Sequence, residues 1–349
     1  MRKFCSFCLA LLMSASLLCA PAMAADEDSL SPSDELICEM GRFISDAVIP
    51  FGDDFTANNY DALQVGNAIP SYSVDQGSDS VRLCTAQYYP IFADTQIIGL
   101  MGVFPAHQGN YRFSYSEGYS ERINSVLADD TEIAMLWEGA QSKIITASNL
   151  VLAMDSSGVE EGLADLRFAD PYEKLYDLDI TDIAHVPSAH GLPNGHTLSV
   201  PTKYRSEWWD CWAACTASVG QYYTDIRKSS LQVAEEISYY RPAGAPKVKS
   251  ALKSIYGIDV FIEAASPSIL DVEEAIYYDE SPFIVGLKIS EDDAVGHMIV
   301  IKGYAVGTYH TSLSIMDPED GPGVVSISIS NPIEIPLYGE IYKVMEYVV

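Results

Sequence analysis

The chain has 349 residues, with 49 Asp and Glu against 20 Lys and Arg, a formal net charge of −29. That balance excludes the basic face a phosphate backbone requires and opposes an anionic membrane surface. At 48% hydrophobic and 11% aromatic residues the chain can build real cores in about two domains, and it is too aromatic for a disordered acidic tail.

Residues 1–24 read as an export signal. Arg2 and Lys3 precede an apolar run from Phe4 to Leu18, and Ala22-Met23-Ala24 supplies small residues for cleavage. The run is shorter than the roughly 20 residues of a membrane span, and no later segment is long and apolar enough for one. Leu17-Leu18 are bulky where lipid attachment at Cys19 requires small residues. A secreted protein starting near Ala25 keeps Cys38, Cys84, Cys211 and Cys215 of its seven cysteines. In an oxidising compartment Cys38 and Cys84 are the pair available for a disulfide.

From 25 to 169 the pattern predicts a small α+β domain with an antiparallel sheet. An acidic, Ser-rich stretch from Asp26 to Glu35 reads as a loose start. Strands are expected at Gln87–Phe92, Gln96–Phe104 and Tyr111–Tyr115, with bends or bulges at Gly99 and Gly102. A helix follows at Ser120–Leu127, then a strand at Ile133–Trp137 with Lys143–Thr146 as its hairpin partner. Residues 170–198, rich in Pro, Asp, Gly and His, read as an exposed linker where proteolytic nicking is easiest. His185, His190 and His196 there have spacings that match no helical face and no accompanying cysteine. They read as loop histidines, and no metal is expected. From 25 to 198 there are 28 acidic and 7 basic residues, a net of −21; from 199 to 349 there are 21 and 11, a net of −10.

The second half, 199–349, opens with helices and ends with strands. Helices are predicted at Trp208–Asp225, with Ser206 or Asp210 as N-cap, and at Ser230–Tyr239, Pro246–Ile255 and Ser266–Tyr278. Strands follow at Phe283–Ile289, His297–Val306, Ser312–Met316, Val324–Ile329 and Tyr342–Val348. Gly303 within the second of these signals a close backbone approach. Helices first and strands afterwards make this domain α+β as well.

Chemistry concentrates in Trp208-Trp209-Asp210-Cys211-Trp212-Ala213-Ala214-Cys215. A cysteine at the start of a helix sits at the positive end of the dipole, which favours the nucleophilic thiolate. The small Ala213, Ala214 and Ala217 let a sheet approach and present a base. Gly296-His297 heads an apolar strand, and Asp317-Pro318 ends the next. Adjacent antiparallel strands bring Asp317 beside His297, where the acid steadies one ring nitrogen while the other faces Cys211. A buried cysteine, a strand-end histidine and a turn aspartate are each ordinary alone; the three in this order on helix, strand and strand are not.

Cys211-Trp212-Ala213, Gly296-His297 and Gly303-Tyr304 together resemble the papain-like cysteine peptidases, in particular the compact bacterial secreted branch of staphopain-type and double-glycine-leader-peptidase-like enzymes. The resemblance covers about 199–349, and the 86-residue spacing from Cys211 to His297 suits the compact branch better than the longer spacing of about 130 or more in papain and cathepsins. It implies a helical lobe and an antiparallel β lobe, with Cys211 as nucleophile, His297 as base and acid, and Asp317 as orienting residue. Trp208, Trp209, Trp212 and Gly296 would line the substrate cleft, and no cofactor is implied. Where such enzymes carry an oxyanion-binding Gln, this chain has Arg205. A propeptide commonly precedes these enzymes, and Tyr89-Pro90-Ile91-Phe92 through Gly99 is similar to one. Residues 25–169 would then inhibit the enzyme until the linker is cut. The expected function is a secreted endopeptidase made as a zymogen and acting on a protein or peptide. Alternatives are a related cell-wall peptide hydrolase or transpeptidase, and an inactive extracellular binding module, which the loss of the Gln keeps open.

Overall fold

The computed structural model describes residues 30–54, 62–74, 81–106, 110–138, 141–146, 166–178, 180, 192–288, 296–327 and 332–349. The export segment, His185 and His190 lie outside the described residues.

The acidic start is ordered from Ser33, whose hydroxyl accepts the Leu36 N–H and caps helix α1 (Asp34–Phe43). Asp34 and Glu35 occupy its first turn, where negative charge meets the helix dipole. The first half continues with β1 (Leu63–Val65), β2 (Ser71–Val74), β3 (Val81–Leu83), β4 (Gln87–Ala93), β5 (Gln96–Pro105) and β6 (Tyr111–Ser116). Helix α2 (Ser120–Leu127), β7 (Ile133–Glu138) and β8 (Gln141–Thr146) complete it. The register of β4 against β5 slips beside Gly99, the bulge its sequence announced.

The stretch expected as an exposed linker carries a short strand near each end, β9 (Tyr176–Asp177) and β10 (Gly195–Thr197). β9 pairs with β1. β10 lies along the later strand β13 (His297–Val306), where a side chain at Gly303 would stand 2.8 Å from the His196 carbonyl. Only glycine allows that approach, as its position in the strand implied.

In the second half, α3 spans Cys211–Thr224, α4 Ser230–Glu236, and α5 Ala245–Ala251, which runs on into a π turn, Leu252–Tyr256. After β11 (Ile262–Glu263) comes α6 (Ile269–Tyr278), three residues later than predicted because Ser268 forms a capping box with Asp271. β12 (Phe283–Lys288), β13, β14 (Thr311–Asp317), β15 (Gly321–Ile327), β16 (Glu334–Leu337) and β17 (Glu340–Val348) close the chain. Helix α3 is buried along Cys211–Gly220 and packs against β12, β13, α4 and α5.

The architecture is α+β, and its large sheet is antiparallel. Among the described residues one 13-stranded sheet runs β11-β17-β12-β13-β14-β15-β6-β5-β4-β1-β9, with β10 on β13 and β16 on β17. The two halves, expected to hold separate sheets, therefore share one. Val324 of β15 stands opposite Tyr115 of β6, and the buried Ser326 hydroxyl accepts the Phe113 N–H at 2.6 Å. A second sheet, β3-β2-β7-β8, belongs to the first half alone. It also departs from expectation, because β2 and β7 are parallel. The long connection between them, which includes β4 to β6 and α2, is ample for such a crossover.

The proposed disulfide is absent: Cys38 and Cys84 are both free thiols. Cys38 lies on α1 beside Arg42, whereas Cys84 packs at a turn of the second half, where a side chain at Gly339 would stand 3.0 Å from its sulfur. Their neighbourhoods differ, so no bridge forms. Among the described residues no helix is long and apolar enough to cross a membrane.

A sheet shared across both halves has a direct consequence. Cutting the chain within 181–191 is expected to leave two fragments that elute as one particle and part only in denaturant. Size-exclusion chromatography after limited proteolysis checks this, and separation in native buffer would contradict it.

Candidate active site

Cys211 opens α3, and Asp210 is the N-cap residue. The Asp210 carbonyl accepts the N–H groups of Ala213 (2.9 Å) and Ala214 (3.0 Å). Its fully buried carboxylate, however, turns backward onto the preceding loop, taking the Ser206 N–H at 3.1 Å and the Glu207 N–H at 3.2 Å. Asp210 thus braces the loop that carries Trp208 and delivers Cys211 to the helix start. Cys211 is 9% exposed, shielded from most solvent.

His297 begins β13, opposite Leu287 of β12, and Asp317 ends the adjacent β14. Strand adjacency converts a 20-residue separation into contact: His297 Nε2 lies 3.0 Å from Asp317 Oδ1, both residues being buried. The Glu319 N–H donates to the same oxygen at 2.9 Å. Cys211 bears on the same imidazole and, like Asp317, favours its charged form. With Nε2 turned to the acid, Nδ1 is the nitrogen left for the sulfur. Of the three side chains expected to act together, His297 and Asp317 are in hydrogen-bond contact, and Cys211 bears on the charge of the imidazole.

Their electrostatics follow from that contact. Burial disfavours a charged His297, but the Asp317 charge and hydrogen bond, reinforced by Cys211, outweigh it and lift the pKa to about 10. Burial likewise works against the Asp317 carboxylate, and His297, with help from Tyr338 and the Glu319 N–H, holds its pKa below the ordinary carboxylate value. Asp320, three residues on, goes the other way. Burial and the neighbouring Asp317 charge push its pKa well up, and the Tyr119 hydroxyl bonds it. Two nearby acids are thus driven apart, one pKa lowered and the other raised.

Arg205 lies close to this group. Its Nε donates to Glu319 Oε2 at 2.5 Å, its Nη1 to the Trp208 carbonyl at 3.3 Å, and its backbone N–H to the Pro318 carbonyl at 2.9 Å. Its charge interacts with both Cys211 and Tyr338. Of the residues expected to line a cleft, Trp208 is 58% exposed and Trp209 is half-buried against Tyr240. Gly296 is exposed and passes so near β12 that a side chain there would stand 2.3 Å from the Leu287 carbonyl. Trp212 is a correction. It is completely buried, with its indole N–H donating to the Arg241 carbonyl at 3.1 Å and its ring against Tyr239, so it is core and not cleft wall. Cys215, one turn along α3, is buried, and desolvation raises its thiol pKa well above the ordinary value. His196 sits in β10, opposite Tyr304 of β13, with its ring edge-on to Tyr277.

Sequence reasoning missed Tyr338. It occupies the turn between β16 and β17, and its hydroxyl donates to Asp317 Oδ2 and lies 3.2 Å from His297 Nε2. The Gly339 that follows marks the turn, but nothing in the sequence aims the preceding ring at His297. Asp320 and Glu319 were missed as well, although they follow Asp317-Pro318 directly.

No protein-family model matches the chain, and no curated protein matches it. Solved structures similar to part of it include a double glycine motif protease from an AMS/PCAT transporter in complex with the leader peptide, at 21% identity over 44% of this chain and 94% of that one, with a TM-score of 0.29. Another is the peptidase domain of Streptococcus ComA, a bi-functional ABC transporter, at 18% identity over 42% of this chain and 94% of that one, TM-score 0.28. A third is UfSP from C. elegans, at 13% identity over 49% of this chain and 35% of that one, TM-score 0.32.

The two charges of the pair make stability depend on pH with a defined sign. The raised His297 contributes fully below its unfolded value of 6.5 and loses its contribution as pH rises through about 10. The depressed Asp317 contributes above its unfolded value of 3.8 and loses its contribution as pH falls below it. The melting-temperature gap between the parent and Asp317→Asn is therefore expected to be widest between about pH 4 and 6.5 and to close toward pH 10. A gap independent of pH would contradict the pairing.

Proposed function

We propose that this chain is a papain-like cysteine peptidase that hydrolyses peptide bonds through Cys211, His297 and Asp317. The observation that carries the reading is a buried imidazole bonded at Nε2 to a carboxylate, with the cysteine that opens a helix bearing on its charge. The Cys211 sulfur attacks the scissile carbonyl carbon, and the C–S bond forms as the carbonyl oxygen takes the negative charge. The His297 imidazolium gives its proton to the leaving nitrogen, the C–N bond breaks, and a thioester remains. His297 then takes a proton from water, whose oxygen attacks the thioester, and the sulfur departs. Asp317 holds the ring and stabilises its charge throughout.

The Cys211 backbone N–H and the Arg205 guanidinium are the proposed donors to the oxyanion. Arg205 brings a full charge, in keeping with its interaction with Cys211. Trp208, Trp209 and Gly296 flank the substrate path. Export through segment 1–24 belongs to the same proposal. For residues 25–169, the described contacts support a partner that stays with the enzyme and braces it, because Tyr88 and Trp137 reach the Tyr338-Gly339 turn and Tyr119 reaches Asp320. A zymogen step would then consist of uncovering the cleft without shedding that half. The inactive binding module draws on one observation, the engagement of the Arg205 guanidinium by Glu319.

A thiol-directed epoxide separates these readings. A peptidase is expected to gain one adduct, located on Cys211 by mass spectrometry and lost in Cys211→Ala. His297→Ala should slow labelling at least about a hundredfold, the scale of general acid–base assistance. An unlabelled Cys211 in both intact and linker-cleaved protein would favour the binding module.

A further inference from the structure

Tyr338 stands where the backbone resists it. Leu337 and Glu340 pair across the β16–β17 hairpin, so the turn has two residues, and both have positive φ, 50° at Tyr338 and 82° at Gly339. Such a turn favours Asn-Gly, and a bulky aromatic at positive φ is a costly conformation that persists only when its surroundings hold it. Both halves of the molecule hold it here. The ring packs on Trp137 at 5.7 Å between centroids and stands edge-on to His297 at 5.4 Å. The Gly339 N–H donates to the Tyr88 hydroxyl at 2.6 Å.

What this position secures is a bond to Asp317. Oδ1 of that carboxylate is engaged by His297 and the Glu319 N–H, and Oδ2 receives the Tyr338 hydroxyl. The phenol oxygen, 3.2 Å from His297 Nε2, is in turn a second acceptor for the ring N–H. Acid, imidazole and phenol thus form a closed hydrogen-bonded triangle. We propose that Tyr338 is a positioning residue of the active centre, which keeps Asp317 ionised and its plane turned toward His297. The proposal rests on the peptidase reading of Cys211.

The physical reason is the cost of an unpartnered charged oxygen in a buried site. Without the hydroxyl, Oδ2 would satisfy itself by taking a proton, and Asp317 would release the imidazolium. The other titratable groups near Asp317 are Asp320 in the following turn, Tyr119 beside α2 and Cys215 on α3, each with its pKa raised by the Asp317 charge, and the Arg205–Glu319 pair. Burial is what makes ionisation of Asp317 harder, and the Tyr338 hydrogen bond is one of the contacts that oppose it. Burial keeps the phenol protonated, and so a donor, far above neutral pH.

The test is the rate of Cys211 alkylation by a neutral haloacetamide, followed across pH in the full chain, together with peptide hydrolysis. Tyr338→Phe preserves the ring and removes only the hydroxyl, and a melting curve shows that it folds. Its alkylation rate and kcat are expected to fall about tenfold to a hundredfold with KM unchanged, the range for a hydrogen bond to a charged group, and the acid limb to move to higher pH. In an Asp317→Asn background the same substitution should cost nothing further, because its effect passes through the carboxylate. If Phe is not tolerated, a fluorotyrosine placed at 338 keeps the hydroxyl as a stronger donor and should move the acid limb to lower pH. Unchanged rates and an unmoved acid limb in Tyr338→Phe would overturn the proposal while Cys211 remained activated. A parent Cys211 alkylated no faster than a peptide thiol would instead overturn the peptidase reading, and Tyr338's role with it.

Discussion

A carboxylate and an imidazole, both buried, sit 3.0 Å apart at the ends of neighbouring strands, and the rest of the site is arranged around them. Two charges removed from water are tolerated only when their remaining lone pairs and protons find partners. Here the partners are the Glu319 N–H and the Tyr338 hydroxyl, with Cys211 favouring the charged imidazole. Each comes from a different element: the turn after β14, the β16–β17 hairpin and the start of α3. The pair therefore acts as a joint between helical and β regions, and the chemistry proposed for it uses the same contacts that make its burial tolerable.

The first half of the chain belongs to this joint. β6 continues the sheet beyond β15, and Tyr88, Trp137 and Tyr119 close over the turn and the acid that flank the pair. Gly339 and Asp320 are contacted from residues more than two hundred positions earlier in sequence. A site so supported depends on long-range pairing, and the helices and strands of 199–349 taken alone would leave Tyr338 without one side of its packing.

Much of this was legible from local signals. Alternating and continuous apolar runs located β4 to β7 and β12 to β14 within a residue or two, and α2 to the residue, because those segments are each buried in their own local pattern. The placement of Cys211 at a helix start and of His297 and Asp317 at the ends of adjacent strands was legible because these are local features. What was hidden depends on distance in sequence. Nothing local shows that β6 would pair with β15, that β2 and β7 would run parallel, or that Cys38 and Cys84 would lie in different neighbourhoods. Trp212 was misplaced for a simpler reason. An aromatic beside a reactive cysteine fits a cleft or a core equally well until the helix face is known, and here that face packs toward Tyr239.

The chemistry of the site requires His297 to carry a proton because Asp317 steers it, and the imidazole itself reports that state. Nitrogen NMR of the full chain labelled at its six histidines, with His297→Gln used for assignment, reads the titration of this ring directly. A His297 resonance that stays in the imidazolium form through neutral pH and titrates near 10 is the predicted result. A ring that loses its proton in the ordinary range around 6.5 would contradict the paired site and the chemistry built on it.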